Sequence, residues 1–195
     1  MRLKLALLGL FLSAASAAYP QIAPSATQGG IPLTVGVGYS NFYTDWSQYE
    51  SGATLWLDWA VYRVPRYFEG LGVEAEARDL NFDRTGDNPK LREDTAVGGP
   101  VYFWRHYRRF DPYGKFLLGL GSIDFTNPRP HDYYTHDTRT VYAPSGGAEY
   151  RMWRNVWVRG EYEYQFWPDF INHHTFNPKG LSIGVTYDLG HMHSR

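Results

Sequence analysis

The stretch that most restricts how this chain can fold lies near its end, from Gly180 to Leu189. Leu181, Ile183, Val185, Tyr187 and Leu189 share one parity; Ser182, Gly184, Thr186 and Asp188 share the other. Successive side chains of a strand point to opposite faces, so this is a strand with one apolar face and one small or polar face. A soluble sandwich accepts such a strand as readily as a membrane barrel does. The other end of the chain bears on that choice.

Residues 1–17 carry the three parts of a secretory signal peptide. Arg2 and Lys4 form a basic start, Leu5 to Leu12 an apolar run, and Ala15 to Ala17 a small-residue cleavage site. The run is too short for a membrane-spanning helix. We expect cleavage after Ala17 and a loose lead-in over 18–30, rich in Pro, Ser, Gln and Gly. There is no cysteine, which excludes a disulfide framework and a lipid-modified N-terminal cysteine. A net charge of −1 argues against non-specific nucleic-acid binding, which needs a basic face. Beyond the signal no run of about twenty apolar residues remains. The chain has 16 Tyr, 11 Phe, 7 Trp and 20 Gly, yet its mean hydropathy is −0.46. That combination fits a transmembrane β-barrel, where only alternate strand residues meet lipid.

Alternation predicts eight strands, over 32–43, 52–64, 70–80, 94–105, 113–123, 141–151, 156–167 and 179–189. No segment carries a capped helical stripe. In the second strand Ala53, Leu55, Leu57, Trp59 and Val61 oppose Thr54, Trp56, Asp58, Ala60 and Tyr62. In the third Leu71, Val73, Ala75 and Ala77 oppose Gly72, Glu74, Glu76 and Arg78; in the seventh Val156, Val158, Tyr162, Tyr164 and Phe166 oppose Trp157, Arg159, Glu161, Glu163 and Gln165. Pro100 and Pro144 interrupt the fourth and sixth, and a bulge is expected at each. The gaps alternate in length, each odd-numbered one (44–51, 81–93, 124–140, 168–178) exceeding its even-numbered neighbours (65–69, 106–112, 152–155). Long loops outside and short periplasmic turns are the habit of outer-membrane barrels.

The polar face includes Asp58, Glu74, Glu76, Arg78, Lys115, Arg159, Glu161 and Glu163. In a soluble barrel these would be a solvated exterior around an apolar ligand cavity. In a membrane barrel they would be the interior. Eight strands enclose only enough space for side chains, so the charges would have to pair into a network that plugs the lumen. Tyr39, Trp59, Phe103, Tyr107, Trp153, Tyr162, Phe166, Trp167 and Tyr187 lie near strand ends and suit interfacial aromatic belts.

With these features the chain resembles the small outer-membrane β-barrel proteins of Gram-negative bacteria, the OmpA/OmpX-type eight-stranded barrels. Members carry an assembly signal in the last strand: polar, any, glycine, any, any, hydrophobic, any, hydrophobic. Ser182, Gly184, Tyr187 and Leu189 occupy its defined positions. The family usually ends on an aromatic residue, whereas here Leu189 is followed by a tail, 190–195. The resemblance implies an up-and-down antiparallel transmembrane barrel over 31–189 in the outer membrane. It also implies partnership with the barrel assembly machinery, outer-membrane lipids and lipopolysaccharide.

Some barrels of this size are enzymes that modify lipid A. His131, His136, His173 and His174, with Asp132, Asp137 and Asp169 near them, fall in expected outer loops, but no spacing fixes a triad and no Gly-x-Ser-x-Gly elbow is present. The same histidines show no compact metal-ligand motif, and His191 and His193 lie in a short tail. No catalytic, cofactor or metal residue is therefore assigned. The expected protein is a monomeric, non-enzymatic barrel with a structural or surface-interaction role. The alternatives are a lipid-A-modifying enzyme and a soluble periplasmic ligand-binding barrel.

Overall fold

The computed structural model describes residues 33–45, 48–60, 68–82, 90–104, 109–126, 136–170 and 174–189. The expected signal peptide, the lead-in, Tyr107, His131, Asp132, His173, His191 and His193 lie outside the described residues. Ten strands follow in order: β1 (Leu33–Tyr43), β2 (Tyr49–Ala60), β3 (Leu71–Phe82), β4 (Lys90–Phe103), β5 (Phe110–Thr126), β6 (His136–Arg151), β7 (Val156–Tyr164), β8 (Trp167–Phe170), β9 (His174–Phe176) and β10 (Lys179–Asp188). Eight close into a barrel in the order β1-β10-β7-β6-β5-β4-β3-β2, and β8 and β9 form a separate hairpin. The first and last barrel strands pair antiparallel from Thr34↔Asp188 to Tyr43↔Lys179. This is the all-β, eight-stranded up-and-down barrel that the alternation predicts.

The side-chain period of two decides what faces out. Val35, Val37 and Tyr39 of β1, Leu55, Leu57 and Trp59 of β2, Phe116, Leu118 and Leu120 of β5, and Leu181, Ile183, Val185 and Tyr187 of β10 are all exposed. Their neighbours in sequence, among them Thr54, Asp58, Lys115, Ser182 and Thr186, are buried inside. An exposed apolar exterior around a charged interior is the reverse of a soluble barrel. At the loop end the apolar band stops at one border. Beyond Ala53, Ala77, Ala96 and Leu120 the next outward residues are Ser51, Asp79, Asp94 and Ser122. Both termini of the described barrel lie at the opposite end, which in outer-membrane barrels is the periplasmic one.

Three expectations need correction. Neither proline sits at a bulge. The β4–β5 ladder skips Gly99 and Pro100 but keeps register, with Gly98↔Leu118 before the gap and Val101↔Lys115 after it. Pro144 pairs with Phe116 on one side. On its other side the ladder stops at Ser145↔Glu163 and resumes as the bridge Tyr142↔Phe166. A gap on one flank accommodates a residue without an N–H, so no extra residue is needed.

The expected outer gaps are also too long. Among the described residues, 49–51, 81–82, 90–93, 124–126 and 136–140 of the expected loops belong to β2, β3, β4, β5 and β6. β5 and β6 have 17 and 16 residues, whereas about 9–11 cross a bilayer. About six residues, or about 20 Å of strand, therefore stand beyond the apolar band. These parts are polar on their outer face, which hides them from a search for lipid-facing strands. Lastly, the expected loop 168–178 holds the β8–β9 hairpin.

Candidate functional site

The lumen brings all eight predicted charged residues into one network. The Arg159 guanidinium reaches Glu74 and Glu161, each at 2.8 Å, and Asp58 at 3.4 Å. Lys115 Nζ lies 2.5 Å from Glu74, 2.6 Å from Glu76 and 2.9 Å from Glu161. Arg78 pairs with Glu76 and, at 2.6 Å, with Glu163. Each lies on a lumen-facing parity of β2, β3, β5 or β7. Three cations thus tie five carboxylates in a space where an unpaired charge is expensive. Glu74, Glu76 and Glu161 are grouped closely enough to ligate a metal ion, but the Lys115 ammonium already sits among them.

Neutral side chains complete the filling. Arg159 stacks 4.9 Å from the Trp56 ring and 4.4 Å from that of Tyr113, and its Nε donates to the Tyr113 hydroxyl at 2.6 Å. Trp56 Nε1 donates to Thr186 Oγ1 at 3.2 Å, which donates in turn to Glu149 at 3.1 Å. The indole lies against Gly36 and Gly184, where an added Cβ would come within 2.1 and 2.5 Å of it. Glycine is needed at both positions because β1 and β10 approach this ring so closely.

An apolar cluster lies towards each end of the lumen. Val101, Phe103 and Tyr113 cluster at the periplasmic end. At the outer end Leu91, Ile123 and Val141 pack with Trp167 and Phe176 of the hairpin. Trp167 Nε1 donates to Gln165 at 2.8 Å, and Gln165 Nε2 donates to Glu163 at 2.8 Å, so the cap is bonded to the charge network. Phe103 and Trp167, expected in the aromatic belts, are instead inside, 5% and 0% exposed. Parity explains Trp167, since Tyr162, Tyr164 and Phe166 take the outward positions. Tyr39, Trp59, Trp153, Tyr162, Phe166 and Tyr187 do face outward.

Several lumen residues escape sequence reasoning. Tyr113 opens the fifth predicted strand and Glu149 falls in an ambiguous one, so parity does not assign them. Glu50 and Glu93 fall in expected loops, yet both are fully buried.

On the outer face beyond the apolar band, Asp124 is paired with His136 across β5 and β6, and Ser122 with Thr138. His136 Nδ1 bonds Asp124, and its Nε2 lies 3.0 Å from Thr138 Oγ1. This is the order of a hydrolytic triad, but the Asp124 and His136 side chains are half exposed. Water screens such a pair, unlike the buried carboxylate–imidazole pair of a serine hydrolase. Nearby, Arg92 reaches Asp79 at 2.5 Å and Asp94 at 3.1 Å, a partly exposed cluster that lies outside the lipid layer. Asp137 pairs with Arg139 at 3.0 Å. Asp169 is exposed in the hairpin with φ of 55°.

Of the predicted assembly-signal residues, Ser182 Oγ lies 2.6 Å from Ser40 Oγ inside the lumen, and Tyr187 and Leu189 face outward. Gly184 abuts Trp56, so the fold itself requires glycine there.

A closed sheet with an apolar exterior and a filled polar interior defines an integral outer-membrane β-barrel. The chain belongs to the outer membrane protein beta-barrel domain family, whose model matches residues 5–188, and it resides in the outer membrane. Its fold is similar to that of neisserial surface protein A, with a TM-score of 0.63 at 11% identity, covering 80% of this chain and 95% of that one. It is also similar to Ail, the attachment invasion locus protein of Yersinia pestis, with a TM-score of 0.53 at 15% identity, covering 80% and 97%. A structure of Ail with the heparin analogue sucrose octasulfate gives 0.56 at 15% identity, covering 82% and 97%. No curated protein sequence matches.

Proposed function

We propose that this barrel is a non-enzymatic surface protein, a rigid scaffold that holds a polar wall of strands and loops outside the outer membrane. The observation that carries the reading is the extension of β5 and β6 beyond the apolar band. The filled lumen supports it, since the charge network and the apolar clusters occupy the interior that a solute would have to cross. Among the described residues the loop end carries Asp45, Asp79, Asp94, Asp124, Asp137 and Asp169 against Lys90, Arg92, Arg139 and Lys179. That excess of acid disfavours a polyanion such as the heparin analogue seen with Ail, and favours a cationic or polar partner.

The test uses cells displaying the wild-type barrel or one in which Asp124, His136 and Thr138 are all replaced by Ala. Adhesion to surfaces coated with polylysine or heparin is measured. We expect wild-type cells to prefer polylysine and the variant to lose part of that preference. Preference for heparin, or a stable open channel in planar bilayers, would overturn the proposal.

Assembly through Ser182, Gly184, Tyr187 and Leu189 is part of the same reading. Tyr187 and Leu189 face lipid and contribute nothing to the lumen, so their replacement separates recognition from packing. Tyr187→Ala with Leu189→Ala should slow insertion by the assembly machinery yet leave spontaneous folding in detergent intact. Equal loss in both would assign these residues to stability alone.

A further inference from the structure

Glu50 and Glu93 stand apart from the charge network. Both are 0% exposed, their carboxyls face one another, and no donor among the described residues reaches any of their four oxygens. Of the network, Arg78 from β3 and Glu163 from β7 act electrostatically on Glu93, and Arg78 is already committed to Glu76 and Glu163. β1 contributes Phe42, opposite Glu50, and β3 contributes Leu80, opposite Glu93. Leu91, the next inward residue of β4, belongs to the apolar cap with Trp167 and Phe176. The pair therefore lies between the ionic layer and the roof of the lumen. It also lies beyond the membrane-spanning stretch, because the outward residues flanking Glu93 are the ion-paired Arg92 and Asp94.

Two adjacent carboxylates in such surroundings cannot both be ionised without a large penalty. Something positive must come between them. A calcium or magnesium ion takes about six or more oxygen ligands, and this pair offers four oxygens among apolar walls. A proton needs only two of them, and turns repulsion into a charge-assisted O–H···O bond. We propose that Glu50 and Glu93 are joined by a proton-dependent hydrogen bond, carboxyl to carboxyl or carboxyl to carboxylate, and that this bond is a pH-sensitive latch beneath the outer cap.

Burial pushes Glu50 up to about 7 and, with Glu50 facing it, holds Glu93 well above the ordinary carboxylate range. Both carboxyls bind protons more tightly folded than unfolded. Their stabilisation is therefore full below the ordinary carboxylate range and is lost as pH rises through 7 and beyond.

The test is deuterium uptake of residues 165–178 in the folded, micelle-bound barrel, comparing wild type with E93Q at pH 5 and again at pH 9. Comparison at one pH cancels the intrinsic pH dependence of exchange. At pH 5 the two should match. At pH 9 the wild type should exchange several-fold faster, because the carboxamide that E93Q introduces still donates to Glu50 after the bridging proton has gone. E50Q, its mirror image, should behave as E93Q does. Equal uptake at pH 9, or both variants exchanging faster than wild type at both pH values, would overturn the latch. So would a shift in wild-type uptake on adding calcium or chelator at constant pH, which would assign the site to a metal ion.

Discussion

Lys115→Met isolates what one lumen cation does. The thioether side chain fills much of the lysine's volume, so packing changes little while one charge disappears. Lys115 touches Glu74, Glu76 and Glu161 within 2.9 Å. After substitution Arg159 still holds Glu74 and Glu161, and Arg78 still holds Glu76, so no carboxylate is left wholly alone. Two cations must then serve five carboxylates in a closed interior. Breaking a buried pair by removing one partner costs about 3–5 kcal/mol, and that is the expected loss at neutral pH. It is measured as the shift in urea unfolding of the micelle-bound barrel, followed by tryptophan fluorescence. Acid should narrow the gap between variant and wild type, because protons replace the lost charge on the carboxylates. Adding Glu76→Gln should also recover part of the loss, since it removes one of the three carboxylates that Lys115 served. A loss below about 1 kcal/mol, the range of an exposed ion pair, would refute the buried network, as would a gap that widens as pH falls.

Two further substitutions probe the wall of the barrel. Val185→Arg puts a charge on the lipid face and should cost about 2–4 kcal/mol if it lies near the bilayer midplane; a neutral result in the same unfolding assay would put Val185 outside the lipid. Gly36→Val drives a side chain into the Trp56 indole and should cost at least about 1–3 kcal/mol by overpacking. Trp56→Ala in the same chain should relieve part of that cost, and strict additivity of the two changes in a double-mutant cycle would refute the contact.

Parity makes most of this molecule legible. Wherever a strand alternates apolar with polar residues across the lipid layer, as in β2, β3, β7 and β10, its lumen side can be read directly, and Glu74, Arg78, Arg159 and Glu161 follow. The same rule loses its grip above the membrane. There the outer faces of β5 and β6 are polar, as in Asp124, His136 and Thr138, and the segments read as loop. Glu50 of β2 and Glu93 of β4 go unseen because the loop ends of those strands likewise read as loop. Pairing is beyond reach for a different cause. Which cation serves which carboxylate depends on register across non-adjacent strands, such as Arg78 of β3 with Glu163 of β7, and alternation within one strand carries no such information. The cap is hidden by Pro168 and Asp169, which look like loop residues and in fact lie within the strand β8.

The seam between β1 and β10 governs the order of events in the life of the chain. Residues 34 and 188 must find each other across nearly the whole polypeptide, the longest-range contact a chain of this kind can make. Until they do, the sheet has two naked rims, on β1 and on whichever strand emerged last, each an invitation to pair with another molecule. The inner side of that seam is built from Gly36, Gly38, Ser182 and Gly184, slender enough for Trp56 to settle against it only when both halves are present. Closure and the final packing of the interior are therefore a single act. A ribosome that stops before residue 179 releases a ribbon with unsatisfied margins, and a protease that removes the last strand from a finished barrel unpicks the whole of it.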